Sequence, residues 1–224
     1  LVKTKKGEST MKKIKIIPTL LISTFFVFLA CSESNSFEPI TNDSNILSKE
    51  NILNIISEDI SPSENNSLQF MREEEKLARD VYILLYNKYG LKVFNNISSS
   101  EQTHTNAIKY LIEKYSLNDP VQIDVQGVYQ NTKLQELYNK LIAQGSQSNI
   151  EALKVGALIE EVDIADLVKA MNEEVDNQDI KMVYNNLKLG SENHLRAFVK
   201  NLAANGINYV PQVLDIDTYN SIIK

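Results

Sequence analysis

Cysteine occurs once in this 224-residue chain, at Cys31, and tryptophan not at all. A single thiol excludes an internal disulfide and any cysteine cluster. Glycine and proline are scarce, at 7 and 5 residues, so the punctuation that many short strands need is missing and long helices are favoured. Basic charge is in deficit: 23 Lys and Arg face 29 Asp and Glu, a net of −6. No basic stripe exists beyond the extreme N-terminus, which excludes nucleic acid as a partner. There is no glycine-rich nucleotide loop, no Ser-His-Asp arrangement and no cysteine nucleophile. Histidine is almost missing as well, and the two that occur, His104 and His194, each interrupt an otherwise apolar helical pattern.

What is present divides along the chain. Residues 1–10 precede Met11 and read as a gene-model extension. From Met11 the sequence has three basic residues, Lys12, Lys13 and Lys15, then an apolar run from Ile16 to Leu29, then Ala30-Cys31. That is the order of a secretion signal, too short and wrongly flanked for a membrane span. Val27-Phe28-Leu29-Ala30-Cys31 resembles a bacterial lipoprotein signal, although Phe28 is bulkier than usual at its position. The resemblance implies cleavage before Cys31, lipid on its sulfur, and an extracytoplasmic lipoprotein anchored to a membrane on its periplasmic or outer face. Residues 32–66 are rich in Ser, Asn, Glu and Asp and read as a flexible tether. Ser48 and Glu50 before Ile52 suit a short helix start.

An apolar fraction of 43% supplies a real core, and residues 67–206 carry helical periodicity. Taken at alternating steps of three and four, the inward stripe of the first long helix, Ser67 to Tyr89, reads Leu68, Met71, Glu75, Ala78, Tyr82, Leu85. Its neighbours Glu73, Glu74, Lys76, Arg79 and Asp80 read as a solvated face. The second, Phe94 to Tyr115, reads Phe94, Ile97, Glu101, His104, Ile108, Leu111, with Ser98 to Ser100 expected to disturb its first turns. A long connection follows, broken at Asp119-Pro120 and holding a short helix from Thr132 to Ala143. The third helix, Asn149 to Glu174, carries Glu160 in its stripe and Asp163 at the stripe's edge. Glu161 is the rival in a register that would bring Lys154 inward. The fourth, Asp179 to Ala204, carries Ser191 and His194. The final stretch, 207–224, contains Pro211 and reads as a tail packed outside. The expected fold is all-α, with four long helices and a crossover between the second and third.

Each long helix thus turns an ionisable group inward near its middle. One buried polar residue is usually a core group satisfied by a neighbour. Four together are costly unless something compensates them, and a divalent metal does so. Glu101-x-x-His104 places two ligands on one helix face. The expected ligands are Glu75, Glu101, His104, Glu160, Asp163 and His194. Carboxylates and imidazoles without thiolate suit iron or manganese, with zinc as an alternative. Four carboxylates would balance two divalent ions, and that balance depends on Asp163.

Glu75 to Tyr82 is similar to the E-x-x-A-R-x-x-Y pattern of rubrerythrin-type proteins, and Glu101-x-x-His104 to their second-helix motif. More closely, Met71 to Tyr82, Gly156 to Ile164, and Gly190-Ser191 through Phe198 resemble the ferritin-like domain of unknown function 2202 family, over about Gln69 to Leu202. The resemblance implies a ferritin-like four-helix bundle and a carboxylate centre of two iron ions, or one. Where the pattern expects Glu-x-x-His on the last helix, this chain has Ser191, while Glu192 points about 100° away. Ferritin-like proteins include ferroxidases, peroxide reductases and oxygenases. The first expectation is therefore a di-iron oxidoreductase acting on dioxygen or hydrogen peroxide, with Tyr82 bonding a ligand or carrying an oxidising equivalent. Its electron donor would be a separate protein, since rubredoxin-like cysteines are missing. The alternatives are a metal-buffering lipoprotein without turnover and a purely structural bundle.

Overall fold

The computed structural model describes residues 46–224, and every regular element among them is an α-helix. The stretch read as a secretion signal, the expected lipidation residue Cys31 and the first part of the expected tether lie outside the described residues. Among the described residues no helix is long and apolar enough to cross a membrane.

Ser48 caps the first helix, α1 (Lys49–Asn54), by accepting from the backbone N–H of Asn51. Ile52 on this helix is fully buried, as is Leu47 just before it, and α1 packs on α3 (Lys92–Lys114). Residues 46–66 are therefore not the tether expected of them. Two apolar side chains suffice to dock the segment, and Lys114 holds it by donating to the carbonyls of Ile52 and Ile55.

Helix α2 (Pro62–Tyr89) starts five residues before the expected Ser67. Ser61 and Glu64 form a reciprocal capping box and Pro62 takes the first helical position, where its missing N–H costs nothing. Gly90 ends the helix in the left-handed region, φ 67°, and returns its N–H to Tyr86 at 2.7 Å. In α3 the serine run does not break the helix: Ser98 and Ser99 both donate back to the carbonyl of Asn95. Helices α4 (Thr132–Gly145), α5 (Asn149–Glu173), α6 (Gln178–Ala204) and α7 (Ile216–Ile223) complete the chain.

The longest contacts join α2 to α3 and α5 to α6, and further contacts run between α3 and α6 and between α2 and α5. The α5–α6 approach is tight at Gly156, where a Cβ would come within 2.4 Å of the Phe198 ring. Only glycine fits there. The four long helices share two apolar clusters. One gathers Val81, Leu85, Phe94, Ala157, Leu195 and Phe198; the other gathers Met71, Ile108, Leu111, Leu167, Val183 and Leu187. Each helix passes from one cluster to the other through a short polar stretch, and those stretches hold Glu75, Glu101 with His104, Glu160 with Asp163, and Ser191 with His194.

The connection between α3 and α4 corrects one expectation. Glu73, Glu74, Lys76, Arg79 and Asp80 are all buried rather than solvated. The connection folds over this face of α2 and satisfies most of it. Lys76 donates to Asp80 at 2.6 Å and to the carbonyl of Val125 at 2.8 Å; Arg79 pairs with Asp80 and Asp124; Glu73 accepts the backbone N–H groups of Gln130 and Asn131. Buried charges at this density survive because nearly every one is matched by an opposite charge or a backbone dipole.

Candidate metal centre

The polar stretches of the four long helices converge. Glu75, Glu101, His104, Glu160, Asp163, Ser191 and His194 are at most 6% exposed. At their middle is the Glu101 carboxylate. Its Oε2 lies 2.9 Å from Nδ1 of His104, and its Oε1 lies 2.8 Å from Nδ1 of His194. Glu75 Oε2 approaches the same His104 nitrogen at 3.3 Å, and Glu160 Oε2 approaches the His194 nitrogen at 3.4 Å.

Two three-residue groups result. Glu75, Glu101 and His104 bring one potential ligand atom each within 4.8 Å of one another, and so do Glu101, Glu160 and His194. Glu101 belongs to both. The two imidazoles are stacked, with ring centres 5.5 Å apart and 28° between their planes. Either group could hold a divalent cation.

The hydrogen bonding of these residues is incomplete in the way a metal site requires. Glu75 Oε1, Glu101 Oε1, His104 Nε2, His194 Nδ1 and Asp163 Oδ1 are buried without a hydrogen-bond partner. Glu101 Oε1 and His194 Nδ1 are close, yet off the line of a hydrogen bond, so neither satisfies the other. Buried polar atoms are nearly always paired, and here two of the unpaired ones, Glu101 Oε1 and His194 Nδ1, face each other.

The electrostatics follow from burial and crowding. Burial drives Glu101 upward, but the imidazoles of His194 and His104 outweigh it and hold the carboxyl well below its ordinary range. Burial works against the charge on His194, while Glu101 and Glu160 raise it to about 10. His104 is raised in the same way by Glu101 and Glu75. Glu75 is pushed up by burial and by Asp163. Asp163 is pushed to about 7 by burial, then by Glu101 and Glu160. Without cations the cluster thus keeps protons that an ion would displace.

Tyr82, a further seven residues along α2 from Glu75, donates to Glu160 Oε1 at 2.5 Å and is fully buried. It rests among Phe94 and Phe198, with ring centres 5.9 Å and 5.3 Å away. Of the two adjacent acids on α5, Glu160 faces His194. Glu161 turns away, accepting from the Tyr209 hydroxyl and from the backbone N–H groups of Gln212, Val213 and Leu214. It fastens the C-terminal segment.

Asp163 enters neither three-residue group. Its Oδ2 accepts from the Ser191 hydroxyl, which also donates to the carbonyl of Leu187. The helix position that lacks its expected glutamate therefore grips a carboxylate from α5 instead. Two further residues escaped sequence reasoning. Ser100 Oγ lies 2.9 Å from His194 Nε2, and its only signal was its place beside Glu101. Glu74 is buried with both carboxylate oxygens unpartnered, pushed well up by burial and by Asp163 and Asp166. Its off-stripe position concealed it.

Residues 64–224 match the family described as "Uncharacterized protein domain (DUF2202)". The chain belongs to the DUF2202 family. The matched span contains every residue of both three-residue groups. This DUF2202 chain is 54% identical over 175 residues to "Uncharacterized protein MJ0754" of Methanocaldococcus jannaschii, an alignment covering 78% of this chain and 94% of that protein. It is also similar to the crystal structure of hypothetical protein MJ0754 from Methanococcus jannaschii DSM 2661. The TM-score is 0.74 at 54% identity, covering 75% of this chain and 96% of that one.

Proposed function

We propose that this DUF2202 chain is a ferritin-like four-helix bundle whose centre holds two divalent metal ions, iron in the first place, and that it acts as an oxidoreductase on dioxygen or hydrogen peroxide. The observation that carries the reading is the position of Glu101, shared between two otherwise separate groups of a glutamate and a histidine. A carboxylate with one oxygen toward each group is the bridging ligand a two-metal site needs.

In this reading Glu75 and His104 would hold one ion, Glu160 and His194 the other, and Glu101 would serve both. When bound, a pair of redox-active ions supplies the electrons that an oxygen–oxygen bond takes up. The chain's own residues do the rest. Three carboxylates and two neutral imidazoles set a mixed oxygen and nitrogen donor field that suits iron or manganese and admits zinc. Ser100 orients the His194 ring through Nε2. Ser191 orients Asp163, whose charge lies beside Glu75 and offsets part of the ions' excess positive charge. Tyr82 fixes Glu160 by donating its hydroxyl hydrogen bond to that carboxylate, and burial with the neighbouring carboxylates keeps the proton on the phenol. The two apolar clusters exclude bulk water from both sides of the polar layer. Any supply of electrons for repeated turnover comes from outside the chain, because no thiol lies in the described residues.

The test is oxidation of ferrous iron. Protein loaded anaerobically with iron and then exposed to oxygen should oxidise it faster than a Glu101→Ala variant. Equal rates contradict an oxidoreductase. Tight binding with equal rates leaves a metal-holding protein without turnover, which is the alternative function. The lipid anchor at Cys31 and an extracytoplasmic location are part of the same proposal and rest on the Met11 to Cys31 sequence alone.

A further inference from the structure

Beside the centre, between α2, α4 and α5, lies a cavity of about 170 Å3. Its wall is apolar apart from two residues, Glu74 and Asp163. Leu77 and Leu141, both almost fully buried, lie among its deeper residues, and half-buried Leu137 and Leu158 stand at its more open edge.

The two acids are not scattered around the wall. Asp163 is among the charges acting most strongly on Glu74, and it acts in turn on Glu75. Glu74 directly precedes Glu75 on α2 and Asp163 lies one turn beyond Glu160 on α5, so the polar residues of the cavity adjoin the centre, with Asp163 as the partition. Ser191 holds that partition from the far side. A full-length glutamate at position 191 would crowd the same place, so the short serine and the cavity belong to one arrangement.

The size and lining select the occupant. Protein interiors are close-packed, and voids much larger than a water molecule are few. Water in a void needs two to four polar partners, which this cavity offers only at the end that holds Glu74 and Asp163; the leucine-lined remainder has the character of the apolar cavities of roughly 150 Å3 that stay dry and take benzene or xenon. An ion or a sugar would lose its hydration against leucine side chains.

We propose that this cavity binds a small uncharged apolar molecule, up to about the size of benzene, and presents it across Asp163 to the metal centre as its substrate pocket. The binding part stands on the cavity alone. The substrate role rests on the metal reading above.

The experiment uses xenon and benzene as probes on the full chain. In metal-free crystals under xenon pressure, density should appear beside Leu77 and Leu141, and benzene should raise the melting temperature saturably. Two filling variants, Ala78→Leu in the wall near Glu75 and Leu158→Phe at the more open edge, should each weaken benzene binding at least tenfold. Leu158 is half-buried, so its variant tests the idea even if Ala78→Leu folds poorly. No xenon density and no benzene response in the unaltered chain overturns the proposal, as does unchanged benzene binding in a folded Leu158→Phe variant. The link to the centre is read separately with cobalt as the metal. Benzene should shift the visible spectrum of the cobalt-loaded protein, and an unshifted spectrum at saturating benzene overturns the substrate role. Failure to bind cobalt, with xenon still seen, overturns the metal reading and the substrate role with it, and leaves the cavity as a binding site only.

Discussion

Oε1 of Glu101, on α3, lies 2.8 Å from Nδ1 of His194, on α6. The other oxygen of the same carboxylate is engaged with His104 on its own helix. One side chain thus ties two helices and two imidazoles together, and its loss should be felt on both sides. Glu101→Gln keeps the shape but removes the shared negative charge, so affinity for both ions should fall at least about tenfold. Glu75→Gln and Glu160→Gln should each weaken one ion and spare the other. Elemental analysis and cobalt titration of the three variants distinguish these outcomes. Loss of both ions in Glu75→Gln and retention of both in Glu101→Gln would contradict a shared carboxylate.

The metal-free protein should lose stability as pH rises. Glu101 and Glu160 lift His194 to about 10 against the pull of burial. A raised imidazole contributes its stability in full below its unfolded value of about 6.5, and that contribution fades as pH climbs through the folded value. Asp163, lifted to about 7 by burial and then by Glu101 and Glu160, slopes the same way, because the folded chain keeps a proton the unfolded chain has released. Glu101, held low, opposes this only in acid, where its contribution disappears as pH falls below about 4.5. Bound ions displace these protons, so metal affinity should rise over the same range. Thermal melts from about pH 5 to about pH 9 should show a falling metal-free Tm and a widening gap to the loaded protein. A metal-free Tm that rises across this range contradicts the electrostatics described.

Ser191 and Asp163 should behave as a unit. Ser191→Glu restores the Glu-x-x-His spacing but sets a second carboxylate against Asp163 in a dry interior, which should destabilise the fold by about 3 kcal/mol. Adding Asp163→Ser should recover most of that loss by exchanging the partners. Denaturant melts of the two single variants and the double variant give the coupling directly. Additive losses would mean that the two side chains do not interact.

Glu160 and Glu161, neighbours in sequence, should separate completely in function. Glu161→Ala leaves the N–H groups of Gln212, Val213 and Leu214 without their acceptor, at a cost of about 2 kcal/mol. Limited proteolysis should then cut within 207–215 while metal content stays unchanged. Glu160→Ala should lower metal content and leave that segment protected. The reverse pattern would place the wrong acid at the centre.

The four inward stripes were legible because helical period is a local property. Glu75, Glu101, His104, Glu160 and His194 interrupt apolar rows at the spacing that brings them to one level. The preference for Glu160 over Glu161 followed from the same rows, since the rival register would have buried Lys154. What escaped was decided by tertiary contact. Lys76, Arg79 and Asp80 have the composition of a solvated face, and only the fold of the connection over α2, with Gly127 N–H and the Tyr129 hydroxyl donating to Asp80, makes them interior. Glu74 lies off the inward stripe and is buried by α4 and α5 instead. The stripe places Asp163 among the expected ligands in the stead of the missing glutamate, whereas the structure gives its Oδ2 to Ser191 and brings it into neither three-residue group. The start of α2 is written locally, in the Ser61 and Glu64 capping box with Pro62 at the first helical position, ahead of the apolar stripe that begins at Leu68.

The proposed pair of ions sharing Glu101 is best sought in a crystal of metal-loaded protein, with anomalous scattering recorded at the iron and manganese edges. Two peaks about 3.5–4 Å apart, one beside Glu75 and His104 and one beside Glu160 and His194, with Glu101 between them, are expected. No peak, or a single peak that leaves one oxygen of Glu101 facing an imidazole alone, contradicts the dinuclear centre.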